Sequence, residues 1–179
     1  MGNIEILKRG DLQLTSAGTG ISHSEKAHGP SQVHFLQIWS LPTTRKLPPK
    51  YFTRHYTDAE KENKWVKVVA PVGAEGVIHE REGKGPTPVQ SPLSLYATLL
   101  SPGTKLQHKF ENEKGYIHVI QTSGYNPQKS SGASVKVVGG EEIALREGDG
   151  SYIWAGKGGE INVENVGDAV AEVLLFDLE

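Results

Sequence analysis

The sequence predicts an all-β protein, with its second half carrying most of the signal. Glycine and proline are frequent, at 21 and 10 of 179 residues, a supply of turn formers suited to many short strands. From Leu93 onward, β-type runs follow one another as LSLYATLLS, GYIHVIQTSG, ASVKVVGG, EEIAL, GSYIW, EINVEN and AVAEVLLFDLE. Their spacing and Gly-rich turns predict a β-sandwich or a closed barrel.

The first half is sparser. Strands are expected at Ile4–Lys8, Leu12–Thr15 and Val33–Ser40. In the last of these, Val33, Phe35, Gln37 and Trp39 share one face, and His34, Leu36 and Ile38 the other. The three prolines of LPTTRKLPPKYF then break regular structure. Thr57 with Glu60 three residues later forms a capping box, so a short helix is expected to start there. A strand through Trp65–Val69 should stop at Pro71. GAEGVIHEREGKGPTPVQSP, rich in Gly, Pro and charge, reads as a long loop or linker. The expected division is therefore 1–70, a linker at 71–92, and a complete β domain at 93–179. Three or four strands are too few for the first unit to close alone.

Composition excludes several functions. A formal charge of −2 and a pI near 6.4 give no electrostatic footprint for nucleic acid. No apolar run approaches the roughly 18 residues that span a bilayer, and MGNIEILKRGD has no apolar signal core. With no cysteine, there are no disulfides, thiolate metal sites or cysteine nucleophiles. A cytoplasmic location is expected, with the nucleus as the alternative. No GxSxG elbow is present, and GAEGVIHEREGKG is neither a Walker loop nor a dinucleotide turn. Trp39, Trp65 and Trp154 are expected in the core or at an interface.

The stretch AGTGISHSEK holds the most pointed chemistry. His23 and Glu25 are two residues apart, so in an extended chain they share a face and can converge on one ion. Neutral imidazole with carboxylate suits iron, manganese, nickel or zinc. Gly18 and Gly20 would allow a tight turn ahead of them, with Ser22 and Ser24 facing away. The spacing alone equally fits two polar residues on a solvated strand. His28, His55 and His79 read as loop residues, and His34 and His118 as strand residues.

GDLQLTSAGTGISHSE followed by VHFLQIW resembles the second half of the N-terminal cupin domain of the pirin family. LPPKYF, SLYATLLSPG, YIHVIQ, EGDG and AEVLLFDLE resemble later segments of that family, so the similarity runs along nearly the whole chain. It implies a bicupin of two jelly-roll barrels, with a partial N-terminal barrel and a complete C-terminal one. In the family, iron is typically held by three histidines and a glutamate. His23 and Glu25 match the last two ligands, whereas the HxH segment supplying the other two has no counterpart here. Met1-Gly2-Asn3 resembles a point in the middle of the first barrel, so a shortened form, or strands supplied by another chain, is expected. The C-terminal barrel is expected to hold no metal, since Phe110 stands where a second histidine would follow His108.

The resemblance further implies Fe(II) or another divalent transition metal, and quercetin 2,3-dioxygenase-type activity on a flavonol-like molecule. In that activity Glu25 would be both ligand and proton acceptor. The alternative it implies is a non-catalytic interaction or transcription-coregulator module. Homo-oligomerisation through the open half barrel is expected in either case, and direct nucleic-acid or membrane binding in neither.

Overall fold

In a computed structural model of the chain, residues 4–124 and 131–179 are described; Met1-Gly2-Asn3 therefore lies outside them. Strand alternation in the second half resolves into two sheets. One has six strands, in the order β10 (Gly150–Trp154), β7 (Lys114–Val119), β12 (Ala171–Leu178), β5 (Leu93–Leu100), β3 (Val66–Pro71), β4 (Thr87–Val89). The other has four: β6 (Lys105–Lys109), β11 (Glu160–Asn165), β8 (Ser134–Val138), β9 (Glu142–Arg146). Apart from the parallel β3–β4 pair, neighbours run antiparallel.

Between the sheets lies the main core. The β12 residues Ala171, Val173 and Leu175 point inward and meet Ile117, Val119, Val135, Ile161 and Val163, all essentially inaccessible to solvent. Burying such a face is the dominant force holding two sheets together. Gly115 is required by this packing: a Cβ there would lie 2.4 Å from the Phe110 ring.

The six-stranded sheet is covered on its outer face as well. Leu95 and Ala97 of β5 alternate with inward-facing Tyr96, and with Val68, Val69 and Val89 they form a second cluster. Leu12 and Leu14 pack onto it from a separate two-stranded sheet, β1 (Asp11–Ser16) paired antiparallel with β2 (Lys50–His55). A two-stranded ribbon is marginal alone, and its apolar side gains stability here by covering the larger sheet. The helix α1 (Asp58–Lys61) follows with the expected capping box at Thr57 and Glu60.

Several expectations need correction. Ile4–Lys8 and Val33–Ser40 form no strand, although both are extended in pattern. Alternation gives a segment strand character, but a ladder needs a partner edge, and among the described residues neither segment has one. Conversely, β2 forms directly after the adjacent prolines at 48–49, and β6 forms where the apolar pattern is thin. Of the three tryptophans expected in the core or at an interface, Trp65 packs against the main core, whereas Trp39 and Trp154 are outside it, 86% and 75% exposed. His55 is the last residue of β2 rather than a loop residue. β3 crosses the expected 70/71 boundary and β4 lies within 71–92, and both pair into the six-stranded sheet.

The stretch 33–43 is nonetheless tied down at both ends. The His34 Nδ1–H donates to the Gln121 carbonyl at 3.2 Å, the only role open to a nitrogen facing a carbonyl. The Ser91 hydroxyl donates to the Leu41 carbonyl at 2.7 Å, and the Thr43 N–H to the Gln90 carbonyl at 2.7 Å.

Candidate functional site

Chain geometry places AGTGISHSEK directly after β1. Gly18 has φ +55°, and a Cβ at that position would lie 2.0 Å from the Leu47 carbonyl oxygen, so the approach of these two backbones requires glycine. Thr19 N–H donates to the same carbonyl at 3.0 Å. The chain then leaves the sheet, and residues 21–27 lie in no strand. His23 and Glu25 are both exposed.

The β1–β2 register explains what Glu25 touches. Pairing of Gln13 with Thr53 and of Thr15 with Tyr51 puts Gln13 and Tyr51 diagonally on the polar face, opposite Leu12 and Leu14. The Gln13 Nε2–H donates to Glu25 Oε1. The Tyr51 hydroxyl lies 3.0 Å from Gln13 Oε1 and 2.9 Å from Glu5 Oε2, one proton shared between two acceptors. Glu5 in turn pairs with Arg81, whose guanidinium carbon sits 5.7 Å from the Tyr51 ring centroid. Burial, the hydrogen bond to Glu5 and the nearby Glu5 and Glu25 carboxylates, partly opposed by Arg81, push the Tyr51 phenol up to about 12. On the same face, His55 Nδ1 and Asp11 Oδ1 are 2.5 Å apart.

Beneath this surface lies a buried arginine. Arg54 is 3% exposed and donates to the carbonyls of Ile78 at 2.7 Å, Arg81 at 3.2 Å and Gly85 at 3.2 Å. Thr53 N–H donates to the Arg81 carbonyl at 2.8 Å. The 78–85 stretch is thereby fastened along β2, which carries Arg81 to Tyr51.

A second histidine–carboxylate pair sits inside the barrel. His108 on β6 and Asp177 on β12 are buried, with Nε2 3.7 Å from Oδ2. Tyr96 and Phe110 meet the imidazole edge-on at centroid distances of 4.6 and 4.9 Å, and Trp65 at 6.1 Å. His108 Nε2 and Trp65 Nε1 have no hydrogen-bond partner there. Asp177 instead accepts the N–H groups of Glu111 at 2.7 Å and Asn112 at 3.0 Å. Burial pushes its carboxyl up, but His108 and these donors outweigh that and hold it below the ordinary 3.8. The remaining histidines are dispersed: His28 and His79 are exposed, and His118 lies half-buried on β7. Burial and the neighbouring His34 hold the His118 imidazole below its usual value, against Asp149.

As metal donors, His23 and Glu25 fit in kind. They are an imidazole and a carboxylate, and the bond to Gln13 engages Oε1 of the carboxylate rather than Oε2. Among the described residues, no three His, Asp or Glu side chains gather as a metal site. Gln13, Tyr51 and Arg81 were not singled out by sequence reasoning. Gln13 lies inside GDLQL, but its role depends on the β1–β2 register.

A Pirin family model matches residues 1–40, the stretch containing His23 and Glu25. The chain is 28% identical over 182 residues to the quercetin 2,3-dioxygenase of Escherichia coli K12, covering 99% of this chain and 65% of that relative. The chain is thus similar in sequence to pirins and to quercetin 2,3-dioxygenases of that kind. Its fold is similar to the crystal structure of YhhW from E. coli, with a TM-score of 0.55 and 22% identity over 77% of this chain and 47% of that one. A second crystal structure, titled bacterial pirin YhhW in complex with nickel(II), matches with a TM-score of 0.54 and 22% identity, covering 76% and 47%. The all-β cupin fold expected from the resemblance is thus present, and the chain spans less than two thirds of the relative's length. No helix among the described residues is long and apolar enough to cross a membrane.

Proposed function

We propose that this chain contributes His23 and Glu25 as donors to a metal-dependent centre of quercetin 2,3-dioxygenase type, acting on a flavonol-like molecule. The observation that carries this reading is the anchoring of Glu25 by Gln13, two residues from an exposed imidazole, in a segment matched by the family model. Fe(II) or another divalent transition metal bound there would supply Lewis-acid and redox chemistry. His23 would present a neutral imidazole. Glu25 would present a carboxylate able to take the flavonol hydroxyl proton. Water or a second copy of the chain would complete the donor set.

The decisive measurement is bound metal per chain after anaerobic Fe(II) loading and desalting, for the wild type and His23→Ala. Near-stoichiometric metal, lost in the variant, is expected. Quercetin cleavage coupled to O₂ uptake by the loaded protein then tests the reaction. No metal in either protein overturns the reading.

A second reading, a non-catalytic interaction module, is favoured by one surface. Phe35, Ile38, Trp39 and Leu41 lie in the strandless 33–43 stretch, with Trp39 and Leu41 86% and 90% exposed. Contiguous apolar exposure of this kind marks association sites, and a second copy of the chain is the proposed occupant. Light scattering across a concentration series tests it, with a concentration-independent monomer counting against. The division into a partial first cupin at 1–70, a linker at 71–92 and a second cupin at 93–179 belongs to this proposal, as does a cytoplasmic location. The relatives compared are bacterial, so the nuclear alternative has no support.

A further inference from the structure

The proposed donors do not account for the row of polar side chains behind Glu25, and that row has a definite direction. Glu25 Oε1 receives the Gln13 amide N–H. An amide can donate only through Nε2, so Gln13 must turn its Oε1 away from Glu25. The Tyr51 hydroxyl meets that Oε1 at 3.0 Å. A flipped amide would set Oε1 against a carboxylate oxygen, two acceptors without a proton between them. The Glu25 carboxylate therefore sets the orientation of the Gln13 amide, and the Tyr51 hydroxyl braces the Oε1 turned away from it. Tyr51 is itself fixed by Glu5 at 2.9 Å and by the Arg81 guanidinium near its ring. Arg81 is delivered by the 78–85 stretch, whose carbonyls are bound by buried Arg54.

We propose that Gln13 is the positioning residue for Glu25, braced by Tyr51, so that the 78–85 stretch pinned by Arg54 contributes to the metal affinity of a segment outside every strand. This rests on the reading of Glu25 as a donor and adds to it the residues that aim it. A carboxylate on an exposed, strandless segment would otherwise sample many orientations and lose entropy on binding an ion. Engaging Oε1 removes much of that freedom and leaves Oε2 as a single-oxygen donor. Hydrogen bonding of a ligand's second atom is the usual way outer residues orient metal ligands. The Glu5–Arg81 pair keeps charge balanced at the far end.

The test uses the full chain and Ni(II) alone, with affinity measured by chelator competition for the wild type, His23→Ala, Gln13→Leu, Gln13→Met and Tyr51→Phe. Gln13→Leu is expected to weaken binding by about 10- to 100-fold. Gln13→Met should do about as much, since it keeps the length but loses the N–H. Tyr51→Phe should weaken it less, by about 10-fold at most. Metal-free melting temperatures of the Gln13 variants should match the wild type, which separates positioning from folding. In the metal-free protein, the Gln13 side-chain amide resonance should move in Glu25→Ala.

Nickel bound by wild type and lost in His23→Ala, with Gln13 variants binding as tightly as wild type, would overturn this inference and leave the donor reading standing. An amide resonance indifferent to Glu25→Ala would also overturn it. No nickel on the wild type would overturn the donor reading, and the role of Gln13 with it.

Discussion

Two histidine–carboxylate pairs lie in two different regions, and they differ in what their carboxylates are free to do. His23 and Glu25 are exposed, on a segment leaving a two-stranded ribbon. His108 and Asp177 are enclosed by Tyr96, Phe110 and Trp65 between two sheets. The buried pair has the low-polarity surroundings that strengthen electrostatics, yet Asp177 is already occupied by the Glu111 and Asn112 N–H groups. The exposed pair lacks enclosure, and Gln13 engages only Oε1 of its carboxylate. The carboxylate beside a histidine is thus a structural tie to backbone N–H groups in one region and a candidate donor in the other, and the deciding factor is what already binds it.

The largest expected effect is on the buried side. Asp177→Ala leaves two backbone N–H groups without their acceptor and should lower the unfolding free energy by roughly 3 kcal/mol, read by urea denaturation. The pH dependence follows from the depressed carboxyl of Asp177. A carboxylate held below its unfolded value stabilises the fold fully above that value, near 3.8. The contribution is lost as pH falls from there through the folded value. Asp177→Asn should therefore flatten the acid limb of the stability curve below about pH 4. Glu147 acts in the same sense: its carboxylate is buried, but hydrogen bonds from Ser123, Thr122 and Ala133 hold it below the usual range.

A smaller effect tests whether the ribbon depends on the barrel. Leu14 sits on the side of β1 that packs against the outer cluster of the six-stranded sheet. Leu14→Ala should cost about 2 kcal/mol, toward the low end for core leucines because it is only half-buried. Amide exchange should accelerate first at β1 and β2 and leave β5 and β12 protected. Uniform acceleration would make the two regions one cooperative unit and erase this part of the contrast.

The two regions also differ in how far the sequence could be read. In the second half, inward positions such as Ala171, Val173 and Leu175 alternate strictly with partly exposed ones, and the period-two pattern is visible without a structure. β6 escaped because only Leu106 interrupts Lys105, Gln107, His108 and Lys109, so one of its two inward residues is a histidine. β2 escaped because it follows two prolines and buries Phe52 beside Arg54, a cation no hydrophobic pattern would place inside. Val33–Ser40 errs in the opposite direction, with ideal alternation and no edge to pair with. His23 and Glu25 stand out only through their resemblance to a family motif. Gln13 and Tyr51, 38 residues apart, become neighbours only through strand register.

Next in size is His108→Leu. His108 Nε2 is buried without a hydrogen-bond partner, a cost the folded state carries. Leucine of similar volume removes that atom and keeps most of the aromatic contacts, so stability should change by about 1 kcal/mol or less. A loss as large as that of Asp177→Ala would mean that the imidazole, rather than the backbone N–H groups, is the main partner of Asp177. The buried pair would then work as an ion pair.

The smallest effect on stability belongs to the pair with the largest proposed consequence. His23 and Glu25 lie outside every strand and are exposed, and surface substitutions away from packed features are close to neutral. His23→Ala and Glu25→Ala should therefore melt with the wild type when metal-free. Glu25→Ala does free the Gln13 amide, but at the surface water takes its place at little cost. Any divalent ion that binds the native form raises the melting temperature with concentration, because it adds RT ln(1 + [L]/Kd). The wild type should show that rise with Ni(II), and the two variants should not. This difference appears only with the ion present, so it separates a donor from a structural tie by a criterion that the buried pair is expected to fail. An equal rise in wild type, His23→Ala and Glu25→Ala would place the ion elsewhere and reduce the exposed pair to two solvated side chains.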